Sequence, residues 1–364
     1  MSEEVAARIR AAVAERGPIS FAEFMEHALY GPGGFYERPP IGAEGHFVTS
    51  PHVHPVFADL VRFALLEAWD ALGRPEPLRI VELGAGDGTL ARGILLGLEA
   101  AGIATAYTAV EISPGARERL HALPLRVEAS LDAVPPLDPG LVLANELLDN
   151  LPFRRVRRRG GDLVELRVGV AGPRLVLVEG PCEPELADLA PSDLGEGEEA
   201  VVPTGALALV GTLARVLRRG YALLIDYGSA GGRAGEVHGY RGHAVLEDVL
   251  EDPGSADVTA GVDLGLVATH AEALGLVRHG IVPQWRALLA LGYARWVEGE
   301  LARQADLLAA HRGLEAVRAY EGRSRASLLV DPAALGRLRW LVLSTPGLPT
   351  PRFLAEALQP ELGR

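Results

Sequence analysis

The stretch "RIVELGAGDGTLARGIL", Arg79 to Leu95, narrows the folds open to this chain more than any other. It reads as a strand that turns into a helix over a glycine-rich loop. Such a turn presents backbone N–H groups and the positive end of a helix, the usual seat of a nucleotide cofactor. From there strand and helix patterns alternate. "LRIVEL" at 78–83 precedes a helix at 89–101, and "AYTAVEI" precedes a short helix after Pro114. "LRVEA", "GLVLANE" and, further on, "YALLIDYG" supply more strands. Alternation of this kind predicts a parallel sheet with crossover connections. The 364 residues suffice for one large or two ordinary domains.

The flanks read differently. Val5, Ile9 and Val13 stand at helical spacing within 3–16, and "SFAEFMEHALYG" forms a second helix capped by Ser20, with Glu23 completing a capping box. "GPGGFYERPPIGAEGHFVTSPHVHP" is too long for a simple connector and marks a functional loop. A helix follows from about Pro55 to Leu72 with Val56, Leu60 and Phe63 inward. "FRRVRRRGGDLVELRVGVAGPRLVLVEG" alternates with period two around "GGD" and "AGP", predicting an antiparallel insertion. A helix at 205–218 leads to "YALLIDYG", and a loop-rich stretch runs to about Asp263. "LVRHGIV" and "RWLVLST" are read as paired closing strands, the last inserted antiparallel between its neighbours, with helices at 286–328 between them. The expected organisation is an arm and lid loop at 1–54, an α/β domain at 55–345 with insertions at about 153–200 and 286–328, and a tail at 346–364.

The glycines decide between cofactors. A dinucleotide loop reads G-x-G-x-x-G, whereas Gly84, Gly86 and Gly88 make G-x-G-x-G with Asp87 on the turn. An acidic turn repels a pyrophosphate and suits S-adenosyl-L-methionine, a cation without one. Glu82 is placed to face the cofactor's ammonium group. Glu111 ends the second strand, with Ile112 beside it, where a carboxylate can accept from both ribose hydroxyls. Ser130, Leu131 and Asp132, after the third strand, are candidates to meet the adenine, or else simply turn the chain. The fourth strand runs into "ANELLDNLP". Ligands bind beyond the carboxyl ends of such strands, so Asn145 and Glu146 should lie beside the cofactor and Asp149 near them. A helix start, which also favours Asn and acids, is the competing account.

The chain resembles the MidA-type family of S-adenosyl-L-methionine-dependent methyltransferases along nearly its whole length. "FMEHALYGPGGFY" is similar to the family's arm, "GHFVTSPHVHPVF" to its G-D-F-x-T-S-P-E signature and "ANELLDNLPFRRV" to its A-N/H-E-F-F-D-x-L-P-V stretch. "LLIDYG" and "PGSADVTAGVDL" match two further segments. The resemblance implies a Rossmann-like class I methyltransferase with added elements. It also implies a protein-arginine substrate, since the mitochondrial member methylates an arginine of a respiratory complex I subunit. Arginine is protonated at neutral pH, so a carboxylate must hold the guanidinium. Glu146 is the candidate, supported by Asp149. Thr49, Ser50 and Pro51 are expected to fold over the cofactor, and Tyr30 and Tyr36 to line the entrance or merely pack the arm. His46 and His52 stand where the family has acids, and His54 follows. His52 is read as a lid residue or, for a neutral nucleophile, a base, and no metal site is expected. A binding scaffold with little turnover, or a methyltransferase of small molecules or RNA, is the alternative.

Composition adds exclusions. A net charge of −13 argues against binding a phosphate backbone, and the arginine run Arg154–Arg159 reads as a solvated strand face. The single Cys182 provides neither a disulfide nor a zinc set. "MSEEVAARIR" has no apolar signal core, and no run approaches the roughly 20 apolar residues of a membrane span. The expectation is a cytoplasmic protein without membrane insertion.

Overall fold

Seven strands build the central sheet of the computed structural model, which describes residues 2–37, 49–233, 235–241, 244–246 and 248–360. They are β1 (Leu78–Leu83), β2 (Thr105–Val110), β3 (Arg126–Glu128), β4 (Gly140–Asn145), β5 (Gly220–Asp226), β6 (Val277–Pro283) and β7 (Arg339–Ser344). Their order is β3-β2-β1-β4-β5-β7-β6. The first five pair in parallel, and β7 runs antiparallel to both β5 and β6. Leu341 pairs with Leu224 on one side and Ile281 on the other, so the closing strand is inserted as its sequence predicts. Helices cover both faces, which is why β4 and β5 read as unbroken apolar runs. The strand order reverses between β1 and β4. That is where a crevice opens at the carboxyl edge of such a sheet.

One face packs on the helices Val56–Ala71, Thr89–Ala100, Gln284–Ala290 and Arg352–Ala357, the other on Thr204–Val216 and Leu264–Ala273. In Val56–Ala71, Val56 and Leu60 are buried, but Phe63 is not. It is 43% exposed, off the face made by Phe57, Leu60, Val61, Ala64 and Ala68, and the Arg62 guanidinium covers its ring at 4.6 Å. The helices Gln284–Ala290, Tyr293–Ala309 and Gly313–Ala326 lie between β6 and β7 in sequence. The expected tail contributes to the core instead: Phe353 and Leu354 are buried, and the Phe353 N–H donates to Glu67 at 2.8 Å.

A second, antiparallel sheet comprises Arg154–Arg159, Asp162–Ala171, Arg174–Pro181 and Glu199–Val202. The arm joins its edge, Ile19 pairing with Val168 and Ser20 with Arg167. Phe21, Phe24, Met25 and Leu29 pack there against Phe153 and Val168. The capping box is only half formed: Ser20 accepts from the Glu23 N–H at 3.1 Å, while the Glu23 carboxylate pairs with Arg16. The arginine run pairs across strands, Arg154 with Glu165, Arg155 and Arg157 with Glu199, and Arg159 with Glu179. Where loops were expected before Asp263, Val237–Arg241, Ala244–Leu246 and Asp257–Ala260 form a small antiparallel sheet.

Candidate functional site

A cavity of about 1160 Å³ opens over the carboxyl ends of β1, β4 and β5, bounded by the arm, residues 49–52 and the small sheet. At its floor, Gly84, Gly86 and Gly88 have φ of 66°, 57° and 79°. Other residues rarely adopt that region. A Cβ on Gly84 would also stand 2.8 Å from Leu147 Cδ1, and one on Gly88 2.7 Å from Leu123 Cδ1. Glu111 fixes the loop, accepting from the Gly86 N–H at 2.9 Å and the Ser113 N–H at 2.8 Å. Ile112, 55% exposed, and Leu131 give the same wall two apolar surfaces. Asp132 does not reach the cavity. Ser130 accepts from its N–H, and its carboxylate turns outward to Arg215 at 3.1 Å. Glu82 is buried, accepts from the Tyr107 hydroxyl at 2.8 Å and is pushed up to about 8 by desolvation.

The turn after β4 carries Glu146 at a φ of 52°, a conformation costly for a residue with a side chain and often found at functional sites. Asp226, wholly buried at the end of β5, over-determines that turn by accepting from the N–H groups of Leu147, Leu148 and Tyr227. The Glu146 carboxylate accepts from the Ser50 N–H at 2.8 Å and Asn145 Nδ2 at 3.2 Å, and burial raises its pKa. Asp149 lines the same cavity. It is 9% exposed, and its Oδ1 has no hydrogen-bond partner. Burial holds its pKa well above the ordinary carboxylate range, and neighbouring Asp226, Asp257 and Glu146 push the same way.

Thr49 and Pro51 line the cavity, whereas Ser50 is buried behind it against Glu146. His52 Nδ1 pairs with Thr49 Oγ1 at 2.8 Å and its Nε2 with Asp87 Oδ2 at 3.0 Å. The imidazole therefore ties the lid to the glycine loop. Burial would raise Asp87, but hydrogen bonds from His52 and the Thr89 N–H outweigh it and hold it down at about 2. His54 turns elsewhere, accepting from the Val56 N–H at 3.1 Å beside Trp296, and His46 lies outside the described residues. Among the described residues no three His, Cys, Asp or Glu side chains are grouped to hold a metal. His52→Glu should set two carboxylates against each other and cost the protein about 1.5–3 kcal/mol of stability, the worth of a charge-assisted hydrogen bond. Calorimetry checks this, and Asp87→Asn in the same chain should recover part of the loss.

Sequence reasoning missed Asp257, Asn150 and Arg337, all on the cavity wall, and read Tyr227 of "DYG" only as part of a strand end near the site. Asp257 lies in the "PGSADVTAGVD" segment that carried part of the resemblance, the one signal that could have marked it.

The strand order, the antiparallel β7, the glycine loop after β1 and the carboxylate closing β2 together define a class I S-adenosyl-L-methionine-dependent methyltransferase. Residues 61–282 match the family described as "Putative S-adenosyl-L-methionine-dependent methyltransferase", and the chain belongs to that family. The mitochondrial protein arginine methyltransferase NDUFAF7 homolog of Drosophila melanogaster is 32% identical over 381 residues, covering 93% of this chain and 84% of its own. Mouse mitochondrial protein arginine methyltransferase NDUFAF7 is 30% identical, covering 70% of this chain and 67% of its own. A crystal structure from Burkholderia thailandensis, bound to S-adenosyl-homocysteine, superposes with a TM-score of 0.81 at 29% identity, covering 97% of this chain and 94% of that one.

The chain is thus a methyltransferase of the MidA type with S-adenosyl-L-methionine as its cofactor. The residues present fit that group. Buried carboxylates at Glu82 and Glu146 are raised by desolvation, a state that a cationic ligand relieves. The expectation of a cytoplasmic protein does not stand, because the curated relatives are mitochondrial. A start without a signal core speaks only to secretion, and composition does not encode the compartment. No helix among the described residues is long and apolar enough to cross a membrane.

Proposed function

We propose that this enzyme methylates an arginine side chain of a protein. The observation that carries the reading is Glu146, a strained carboxylate on the cavity wall anchored by the Ser50 N–H and Asn145 Nδ2, with the unpartnered Oδ1 of Asp149 close by in the same turn. The relatives' names supply the arginine, and the resemblance suggests a respiratory-complex subunit as the protein. Bound S-adenosyl-L-methionine supplies an electrophilic methyl group. The backbone of Gly84 and Gly86 and the turn ending at Gly88 would hold the cofactor, with Glu111 taking the ribose, Ile112 and Leu131 the adenine, and Glu82 and Asn145 the amino-acid end. Thr49 and Pro51 exclude water, and Ser50 holds Glu146. Glu146 grips the guanidinium and concentrates electron density on one nitrogen, with Asp149 in support. Positioning and desolvation of the reacting pair are the main catalytic terms. The organisation proposed with it keeps an arm and lid at 1–54 and a methyltransferase domain with two insertions.

The test is incubation with radiolabelled S-adenosyl-L-methionine and lysate from a strain lacking the gene, followed by mass spectrometry. Methylarginine on a protein is expected. Nuclease-sensitive label, label on small molecules, or cofactor binding without any label would overturn the reading.

Glu82 gives a separate prediction. Its folded pKa of about 8 exceeds the ordinary 4.5, so the unliganded fold holds an extra proton between those values. Its contribution to stability therefore falls as pH rises through that window. A cationic ligand favours the carboxylate, so binding at pH 7 should release up to one proton. Calorimetry in buffers of different ionisation enthalpy measures that release, and Glu82→Gln should lower it by the share that Glu82 contributes.

A further inference from the structure

One wall of the cavity comes from outside the methyltransferase sheet. Tyr30 and Tyr36, both from the arm, stack with ring centroids 5.5 Å apart and 17° between their planes, and both line the cavity. Three hydrogen bonds close a circuit around them. The Tyr36 hydroxyl donates to Asp257 Oδ1 at 2.9 Å, Asn150 Nδ2 donates to Asp257 Oδ2 at 2.9 Å, and the Tyr30 hydroxyl donates to the Asn150 carbonyl at 2.8 Å. The Val258 N–H adds a fourth bond to Asp257 Oδ1 at 3.0 Å. Arm, post-β4 turn and small sheet thus meet at one carboxylate that is 3% exposed.

Packing alone does not call for this arrangement. An apolar residue would seat the arm without the desolvation cost of a buried charge. What the carboxylate adds is direction, because it fixes the planes of two phenol rings. Burial raises Asp257 only to about 6, so it is ionised at neutral pH. The rings border the cavity that also holds Glu146 and the unpartnered Asp149 oxygen. A planar, delocalised cation lies flat on an aromatic face while donating from its edge to carboxylates, and a compact ammonium does not.

We propose that Asp257 is a positioning residue for the acceptor: by anchoring Tyr36 and, through Asn150, Tyr30, it holds an aromatic wall that selects a guanidinium over an ammonium. This rests on the arginine reading above. The test is calorimetry of the full chain saturated with S-adenosyl-homocysteine, titrated with end-blocked Gly-Arg-Gly and Gly-Lys-Gly peptides. The unaltered protein should bind the arginine peptide at least tenfold more tightly. Tyr36→Phe and Asp257→Ala should each weaken that binding at least tenfold, leaving S-adenosyl-homocysteine affinity within about twofold. Asp257→Asn should recover most of the loss, since its amide accepts from Tyr36 and donates to a reversed Asn150 side chain. Should Asp257→Ala fail to fold, Tyr36→Phe, which removes one oxygen, decides alone. Selectivity unchanged in the variants overturns the inference and leaves the arginine reading standing. So does cofactor affinity that falls in step, or Asp257→Asn as weak as Asp257→Ala. Equal or absent binding of both peptides by the unaltered protein overturns the reading and the inference together.

Discussion

Glu146→Gln is expected to lower methyl transfer about 10²–10⁴-fold, the range for a group acting on the reacting atoms, while cofactor affinity stays within about threefold. The substitution keeps the side chain's shape and still offers an oxygen to the Ser50 N–H, so the lid contact survives. What disappears is the negative charge proposed to hold and polarise the acceptor. Single-turnover rates with radiolabelled cofactor, beside calorimetry with S-adenosyl-homocysteine, separate the two effects. Parallel loss of binding and rate would assign Glu146 to the architecture of the lid. An unaffected rate would remove it from the reaction.

Glu111→Ala should abolish most cofactor binding. The variant loses the proposed ribose contact and frees the N–H groups of Gly86 and Ser113, which the carboxylate now holds. Charge-assisted hydrogen bonds are worth about 1.5–3 kcal/mol each, so a weakening of about 10²-fold or more is expected by calorimetry. Glu111→Gln, which keeps one acceptor, should fall between. NAD should show no binding to the unaltered protein, since Asp87 is held ionised on the turn. Unchanged affinity in the alanine variant would place the ribose elsewhere.

What the sequence revealed and what it hid follow from the range of the interactions involved. β1, β4 and β5 are legible because strands buried on both faces are continuous apolar runs, and glycines mark where β1 ends. The places of Glu111 and Glu146 on the cavity wall are legible because cavities open at the carboxyl ends of such strands. The small sheet is not, since its strands of three to five residues are too short for alternation to show. Asp132 was misplaced because its direction depends on Arg215, on a helix far along the chain. His52 was ambiguous because its partner, Asp87, is supplied by the glycine loop and not by its own segment. The family's acid at that position could not form the same pair.

The pairing of Ile19–Ser20 with residues 167–168 orders events during synthesis. The arm leaves the ribosome before the strand it must join, which is made about 150 residues later. Until then Phe21, Phe24 and Leu29 have only the arm's own apolar side chains to pack on and lack Phe153 and Val168, and closing so long a loop is entropically slow. The glycine loop, β2 and β4 are all translated in the meantime. The arm is therefore seated only after the glycine loop, β2 and β4 have been made. Chaperone dependence, where it exists, should concentrate on that waiting arm.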